Sequence, residues 1–279
     1  MLETVVMFGG CFMKNIELYK LLKIPSEVEK LLLDYEYSRN IQVSDEIINK
    51  ILNRSQWDEG IKELQKLLCD DPDGIKILWE LLNIAKDYSY REYNKRKIST
   101  VIFADTMKFC TRFLNEYYQQ FHTWKFIWAW WFPRQISLNE YRIEALEYEF
   151  IDMDSPEIAI HIPSDADLRN VPISCSIKNF NKFRKKYYSD WQDVNLTCET
   201  WMLMPELKEL LGSSSNIILF QDLFEIDYID YDATWYMDWI FPGVNKIDEK
   251  LPERTTLQRN MKKYLLDGRK FGIAKGHLK

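Results

Sequence analysis

The sequence predicts an α+β protein in two parts: a helical bundle over residues 1–125, then a mostly antiparallel sheet with packed helices over 126–279. Three observations lead there. Up to about residue 122, apolar residues recur every three or four positions behind helix-start residues. After Pro133 the spacing falls to two, and strand-like runs then alternate with a few helical ones. The chain has 279 residues, 46% of them hydrophobic, which is ample for a core in each part.

The elements follow in order. Ser26 with Glu29 forms a capping box after Pro25, ahead of Leu31, Leu32 and Tyr35. Ser44 opens a segment with Ile47, Ile48, Ile51 and Leu52 on one side, and Ser55 caps a helix carrying Trp57, Ile61, Leu64 and Leu68. Asp71-Pro72 reads as an N-cap followed by an N1 proline, before Ile75, Leu78, Leu82 and Ala85. From Ser99 a single long seam runs through Phe103, Met107, Cys110, Leu114, Tyr117 and Phe121, which calls for a bundle. Lys95-Arg96-Lys97 is the solvated loop before it.

In the second part, Tyr141 to Phe150 alternates as one strand, Asp154-Ser155-Pro156 turns, and Glu157 to Ile162 returns as the other half of a hairpin. Pro172 to Tyr188 is a basic-faced helix with Ile177, Phe180 and Phe183 inward. Leu196 to Leu203 is a strand, Pro205 to Leu211 a short helix ended by Gly212, and Asn216 to Ile226 a long strand. Asp232 to Phe241 and Thr255 to Leu266 are helical, closed by Gly243 and Gly268, and Phe271 to Leu278 is the last strand.

Composition removes several function classes. A net charge of −6 without a long Lys/Arg tract disfavours nucleic acid and anionic membrane as partners. Five cysteines at irregular spacing and three histidines, with no CxxC, read as reduced thiols in a cytoplasmic protein and give no metal site. No run of 18 uncharged apolar residues marks a membrane span. Val5 to Cys11 looks faintly like the end of a lipoprotein signal. It lacks a basic start, carries Glu3 nearby and is short, so Met13 reads as a second start codon downstream of Met1. The motifs GxxxxGK[ST], GxSxG, HExxH and the EF-hand loop are absent. Asp222, Glu225, Asp227, Asp230 and Asp232 are spaced as the polar face of a strand.

The order β-β-α-β-α-β, two helices, then β is similar to the later part of the GCN5-related N-acetyltransferase (GNAT) fold. Residue strings extend the likeness: Phe103 with Asp105-Thr106-Met107, His161-Ile162-Pro163, Cys198-Glu199-Thr200-Trp201-Met202-Leu203, Ser215-Asn216-Ile217, and Leu251-Pro252 with Thr255-Thr256-Leu257-Gln258-Arg259. From about Met13 on, the chain resembles bacterial acyltransferase-domain proteins that join an N-acyltransferase N-terminal domain to a GNAT-like C-terminal domain.

The resemblance implies acyl transfer from acyl-CoA, a co-substrate, to a small-molecule amine acceptor by direct attack. It also implies that residues 164–174, after the strand ending at Ile162, form the pyrophosphate loop, with Ile162, Ser164, Asn170 and Ser174 against the CoA. The polar helix start Thr255, Thr256, Gln258 and Arg259 offers a further anion ligand in Arg259, at most one turn from the exposed amides, or else a capped surface helix. The common loop pattern Gln/Arg-x-x-Gly-x-Gly/Ala is replaced here by a stretch without glycine that carries Asp165 and Asp167. Two carboxylates oppose a pyrophosphate, so the alternative is a non-catalytic ligand-binding or interaction scaffold. The formal match Arg269-Lys270-Phe271-Gly272-Ile273-Ala274 precedes no helix, and Gly268, Gly272 and Gly276 read as tight packing at a sheet end.

His161, at the end of the strand bordering the splayed cleft implied by the resemblance, is the first catalytic candidate, as a neutral imidazole that accepts the amine's proton. Glu149 and Glu199 are the other bases, since a strand carboxylate in a dry cleft can have a raised pKa. Trp201, Asn216 and Gln258 are the substrate-binding candidates, and Cys198 reads as a buried structural thiol. The tyrosine that GNAT enzymes often use to protonate the leaving thiolate has no counterpart in Pro205 to Leu211. Tyr228, Tyr231 or Tyr236 serve only if the later segment folds back. Nine of the sixteen residues from Tyr117 to Phe132 are aromatic, which suggests a seam fastening the bundle to the sheet and walling an acyl cleft.

Overall fold

In a computed structural model, the described residues are 13–152, 155–244 and 246–279. The signal-like stretch Val5 to Cys11, Met1 and the turn residue Asp154 lie outside them. The chain divides between Tyr141 and Arg142 into two compact units.

The first unit holds nine helices among its described residues: α1 (Asn15–Leu22), α2 (Ser26–Ser38), α3 (Asp45–Leu52), α4 (Trp57–Leu68), α5 (Ile75–Ile84), α6 (Tyr90–Lys95), α7 (Thr100–Met107), α8 (Phe109–Phe121) and α9 (Pro133–Ile136). The three-to-four spacing is realised: Leu18, Leu22, Val28, Leu32, Leu64, Leu78, Leu82, Phe103, Met107 and Leu114 are fully buried. Capping differs from expectation at several starts. The Ser26 capping box does not form, because Ser26 is already the first helical residue and Pro25 stands at the cap. At α1 the Glu17 carboxylate accepts from the Lys14 N–H at 2.8 Å. Ser44 caps α3 as expected. Ser55 caps nothing and instead donates its N–H to Asn53, within a 3-10 turn leading into α4.

Helix α5 starts at Ile75 and not at Pro72. Gly74 takes the left-handed conformation at φ 67°, where a side chain would strike the Phe126 carbonyl. Asp71 still caps from a distance, its two carboxylate oxygens accepting from Lys76 and Ile77 N–H at 3.0 and 2.9 Å. The long seam beginning at Ser99 is broken at Lys108 into α7 and α8, and its last residue, Phe121, is exposed. Beyond α8 the aromatic run packs ring on ring within this unit. Phe113 stacks on Trp128 at 4.2 Å, Tyr118 on Trp124 at 4.2 Å, and Phe109 on Phe132 at 5.5 Å.

The second unit is built on β1 (Glu140–Ile143), within which the division falls, β2 (Leu146–Ile151), β3 (Glu157–His161), α10 (Asn170–Tyr187), β4 (Leu196–Thr200), α11 (Leu207–Leu210), α12 (Asn216–Gln221), β5 (Phe224–Asp230), α13 (Tyr236–Ile240), α14 (Thr256–Leu266) and β6 (Ile273–Leu278). The strands form one sheet in the order β1-β2-β3-β4-β6-β5. β2 with β3, β4 with β6 and β5 with β6 are antiparallel, while β3 and β4 are parallel.

Three expectations are corrected here. The single strand 141–150 is two strands, because Glu144 turns the chain at φ 57° and Arg142 Nε donates to the Glu144 carbonyl at 3.0 Å. The long strand 216–226 is α12 followed by β5. Ile218 and Gln221, three apart, are both buried, and the Gln221 amide donates to the Met204 carbonyl at 2.7 Å, so tertiary contacts override the β propensity of the apolar run. The strand from Leu196 stops at Thr200, whose hydroxyl accepts from Met202 N–H and starts a 3-10 turn, Trp201–Leu203.

Period-two alternation gives the sheet unlike faces. Tyr148, Phe150, Ile158, Ile160 and Leu196 are buried on one face, where Tyr148 stacks on Phe180 of α10 with ring centres 3.8 Å apart. The other face carries Glu149, Glu157, His161, Thr197, Glu199, Lys275 and His277, with Thr197 opposite His277 and Glu199 opposite Lys275. Gly272 and Gly276 lie against the β5 backbone so closely that a Cβ would collide with the Asp230 and Glu225 carbonyls, and Gly268 turns the chain at φ 77°. Tight packing therefore accounts for Gly272 and Gly276, as the sequence suggests, but not for Gly268, where a Cβ would meet open space and the positive φ is what calls for glycine.

Candidate active site

The polar face takes its geometry from one interruption in the sheet. Parallel β3 and β4 pair only as Ile158 with Leu196 and Ala159 with Thr197. Beyond those two pairs the parallel ladder stops, while β4 stays bonded to β6 as far as Thr200 opposite Ala274. Two lips result: β3 continues to His161, and β4 continues to Glu199 and Thr200. Backbone groups facing such an opening are not consumed by a ladder, so an extended ligand can pair with them.

His161 stands on the β3 lip, and its Nε2 lies 3.0 Å from Oε2 of the buried Glu149 on β2. The register of the hairpin sets this pair, since Glu149 faces Ala159 and Glu147 faces His161, which places Glu149 diagonally beside the imidazole. With Glu149 ionised, the carboxylate only accepts, so Nε2 donates and the basic lone pair belongs to Nδ1. Glu199, on the β4 lip, accepts from the Tyr228 hydroxyl at 2.5 Å. That bond pushes the Tyr228 phenol up to about 12. Tyr228 arrives through a bulge in β5. One step on β6, from Gly276 to Lys275, spans two on β5, from Ile226 to Tyr228.

The loop after β3 leads directly to α10. Ile162 is half-buried and Ser164 exposed, and a turn closes where Ala166 N–H donates to the Pro163 carbonyl. Both loop carboxylates are matched by arginines: Asp165 bonds Arg142 at 2.7 Å, and Asp167 bonds Arg169 in a two-pronged contact. Arg169 holds the Asp167 carboxyl below the usual carboxylate range. α10 begins without a side-chain cap, and Pro172 lacks an N–H, so Asn170 and Val171 present the amides of its first turn. Ser174 Oγ donates to the Asn170 side chain at 3.1 Å.

The remaining candidates lie elsewhere. Trp201 is buried in the turn after β4, and Asn216 is the exposed first residue of α12. Gln258 and Arg259 open α14, where Gln258 Nε2 donates to the Ile240 carbonyl at 2.8 Å and Arg259 donates to the Glu253 carbonyl and Thr256 hydroxyl, each at 3.1 Å. The structure thus gathers His161, Glu149 and Glu199 on one face and Ile162, Ser164, Asn170 and Ser174 along one loop. It holds Gln258 and Arg259 in the local framework of α14. Cys198 is buried on the opposite face from Glu199, and burial pushes its thiol far up. Lys275, which bonds Glu157 at 2.7 Å, and His277, which bonds Asp227 at 2.7 Å, join the polar face without having been singled out from the sequence. Their signal was the alternation of the last strand.

The family model of the GNAT-like C-terminal domain matches residues 106–278, and that of the N-acyltransferase N-terminal domain matches residues 13–138. No curated protein matches the chain. Solved structures share the fold at low identity. A crystal structure of an acyltransferase in complex with decanoyl-CoA and teicoplanin superposes with a TM-score of 0.73 at 17% identity, covering 95% of this chain and 87% of that one. A mutant acyltransferase in complex with octanoyl-CoA gives 0.74 at 16% identity, with the same coverage of 95% and 87%. An acyltransferase in complex with decanoyl-CoA gives 0.63 at 15% identity, covering 95% of this chain and 99% of that one.

Proposed function

Since this chain belongs to the family of the GNAT-like C-terminal domain and carries the N-acyltransferase N-terminal domain ahead of it, we propose that it moves an acyl group from acyl-CoA to an amine acceptor by direct attack. The observation that carries this reading is the end of the β3–β4 ladder beyond Ala159 and Thr197, with the Glu149–His161 pair on one lip. Decanoyl-CoA, octanoyl-CoA and teicoplanin in the solved structures of similar fold support both a medium-chain donor and a small-molecule acceptor.

In this reading the pantetheine arm enters the opening and brings the thioester carbonyl to the lips. The acceptor nitrogen attacks the carbonyl carbon, the C–S bond breaks, and the products are an amide and the CoA thiol. The proton lost by the nitrogen passes to Nδ1 of His161 and from there to the leaving sulfur, while Glu149 holds the ring in the tautomer that leaves Nδ1 basic and stabilises the imidazolium that forms. Orientation of two bound reactants supplies a large share of the rate. The pyrophosphate lies over the loop at 162–170 and the first amides of α10. A non-catalytic scaffold draws its support from Asp165 and Asp167, and the arginines beside both weaken that case.

Calorimetric titration with octanoyl-CoA and decanoyl-CoA tests the donor site. The expected result is saturable binding to both. No heat at millimolar ligand would remove the acyltransfer reading.

A further inference from the structure

Several carboxylates of the polar face are bonded to basic side chains, and one is bonded to a phenol. Glu149 bonds His161 at 3.0 Å, Glu157 is paired with Lys275 at 2.7 Å, and Asp227 bonds His277 at 2.7 Å. Glu199 is held by a phenol, the Tyr228 hydroxyl at 2.5 Å, and among the described residues no cation lies within ion-pair distance of it. The register makes this surprising, because Glu199 directly opposes Lys275. The Lys275 ammonium instead reaches across β4 to both oxygens of Glu157 on β3, at 2.9 and 2.7 Å. A neutral donor fixes the direction of a carboxylate without cancelling its charge. Glu199 is also exposed, so a ligand can reach it.

Its position gives that charge a use. Counting two residues past the last parallel pair, His161 follows Ala159 and Glu199 follows Thr197, so the two occupy matching places on opposite lips and on the same face. We infer that Glu199, held by Tyr228, is the seat for the acceptor's ammonium group, and that the acceptor is an aliphatic amine that arrives protonated. This rests on the acyltransfer reading and adds to it the class of acceptor. An aliphatic amine titrates near 10, so at pH 7 it is a cation that must be bound charged and then deprotonated before it can attack. The lips divide those tasks: Glu199 binds the ammonium, and His161 takes one of its protons and releases it to solvent, leaving the neutral amine to attack the thioester carbon; the second proton, lost as the amide forms, then passes through Nδ1 to the leaving sulfur.

The test is a calorimetric titration, at pH 7, of the protein loaded with octanoyl-CoA. Benzylamine, a cation at this pH, is compared with benzyl alcohol, its neutral counterpart of similar shape. The expected result is binding of the cation about tenfold tighter in the native chain, and equal binding of the two by Glu199→Gln. Glu157→Gln should also shrink the preference, because it releases Lys275 to its register partner Glu199. Asp227→Asn should leave the preference unchanged. A native chain that does not prefer the cation, or a preference that survives Glu199→Gln, overturns the inference. If octanoyl-CoA fails to bind, the acyltransfer reading falls on its own, and the same titrations on unloaded protein still decide whether Glu199 seats an ammonium.

Discussion

At the scale of single residues, the reading of function depends on how two side chains are oriented by their neighbours. Replacing His161 with alanine removes the nitrogen assigned to the amine's proton and should lower kcat by about 10²–10⁴-fold. Affinity for octanoyl-CoA should stay within twofold, and the acidic limb of the pH–rate profile should vanish. An unchanged rate, or a retained acidic limb, would take the base role away from His161. The thiols supply an independent check of burial. Desolvation pushes Cys110 up to about 12 and Cys198 higher still, so neither forms thiolate near neutral pH, whereas Cys69 and Cys175 are exposed. Peptide mapping after brief alkylation at pH 8 should find Cys69 and Cys175 modified and Cys110 and Cys198 intact. His161 was legible in the sequence because it ends a recognisable strand. The placement of Tyr228 was not, because strict alternation from Phe224 and Ile226 puts it on the apolar face and only the bulge moves it to the polar one.

At the scale of elements, one buried hydroxyl couples the sheet to α10. Ser176 accepts from Leu146 N–H at 3.3 Å, bonds the Tyr148 hydroxyl at 2.9 Å and donates to the Ile143 carbonyl at 2.5 Å, all out of water. Ser176→Ala leaves those groups without their shared partner and should cost about 1–3 kcal/mol. Urea unfolding should show the loss as a lower midpoint at unchanged slope. A cost below a few tenths of a kcal/mol would mean that the three bonds do not hold α10 on the sheet. Elements with strong periodicity were legible: α10 runs from Asn170 to Tyr187 against an expected 172–188, and β6 from Ile273 to Leu278 against 271–278. Those that failed did so where distant partners decide. The Gln221 amide needs the Met204 carbonyl before α12 outcompetes a strand, and that contact is invisible to local propensity.

At the scale of the molecule, the division between Tyr141 and Arg142 leaves each unit with its own apolar interior. No helix among the described residues is long and apolar enough to cross a membrane. The switch from a spacing of three or four to a spacing of two anticipated the two architectures, whereas the opening between β3 and β4 depends on where a parallel ladder stops, which spacing alone does not encode. That opening is where the central claim is most exposed to test. The deciding measurement is mass spectrometry of the products after the full chain is incubated with octanoyl-CoA and benzylamine at pH 7. Acyl transfer through the lips should yield N-benzyloctanamide and free CoA in equal amounts, with the yield collapsing for His161→Ala. Octanoyl-CoA bound by the protein yet recovered whole, with no amide above the uncatalysed background, would contradict it.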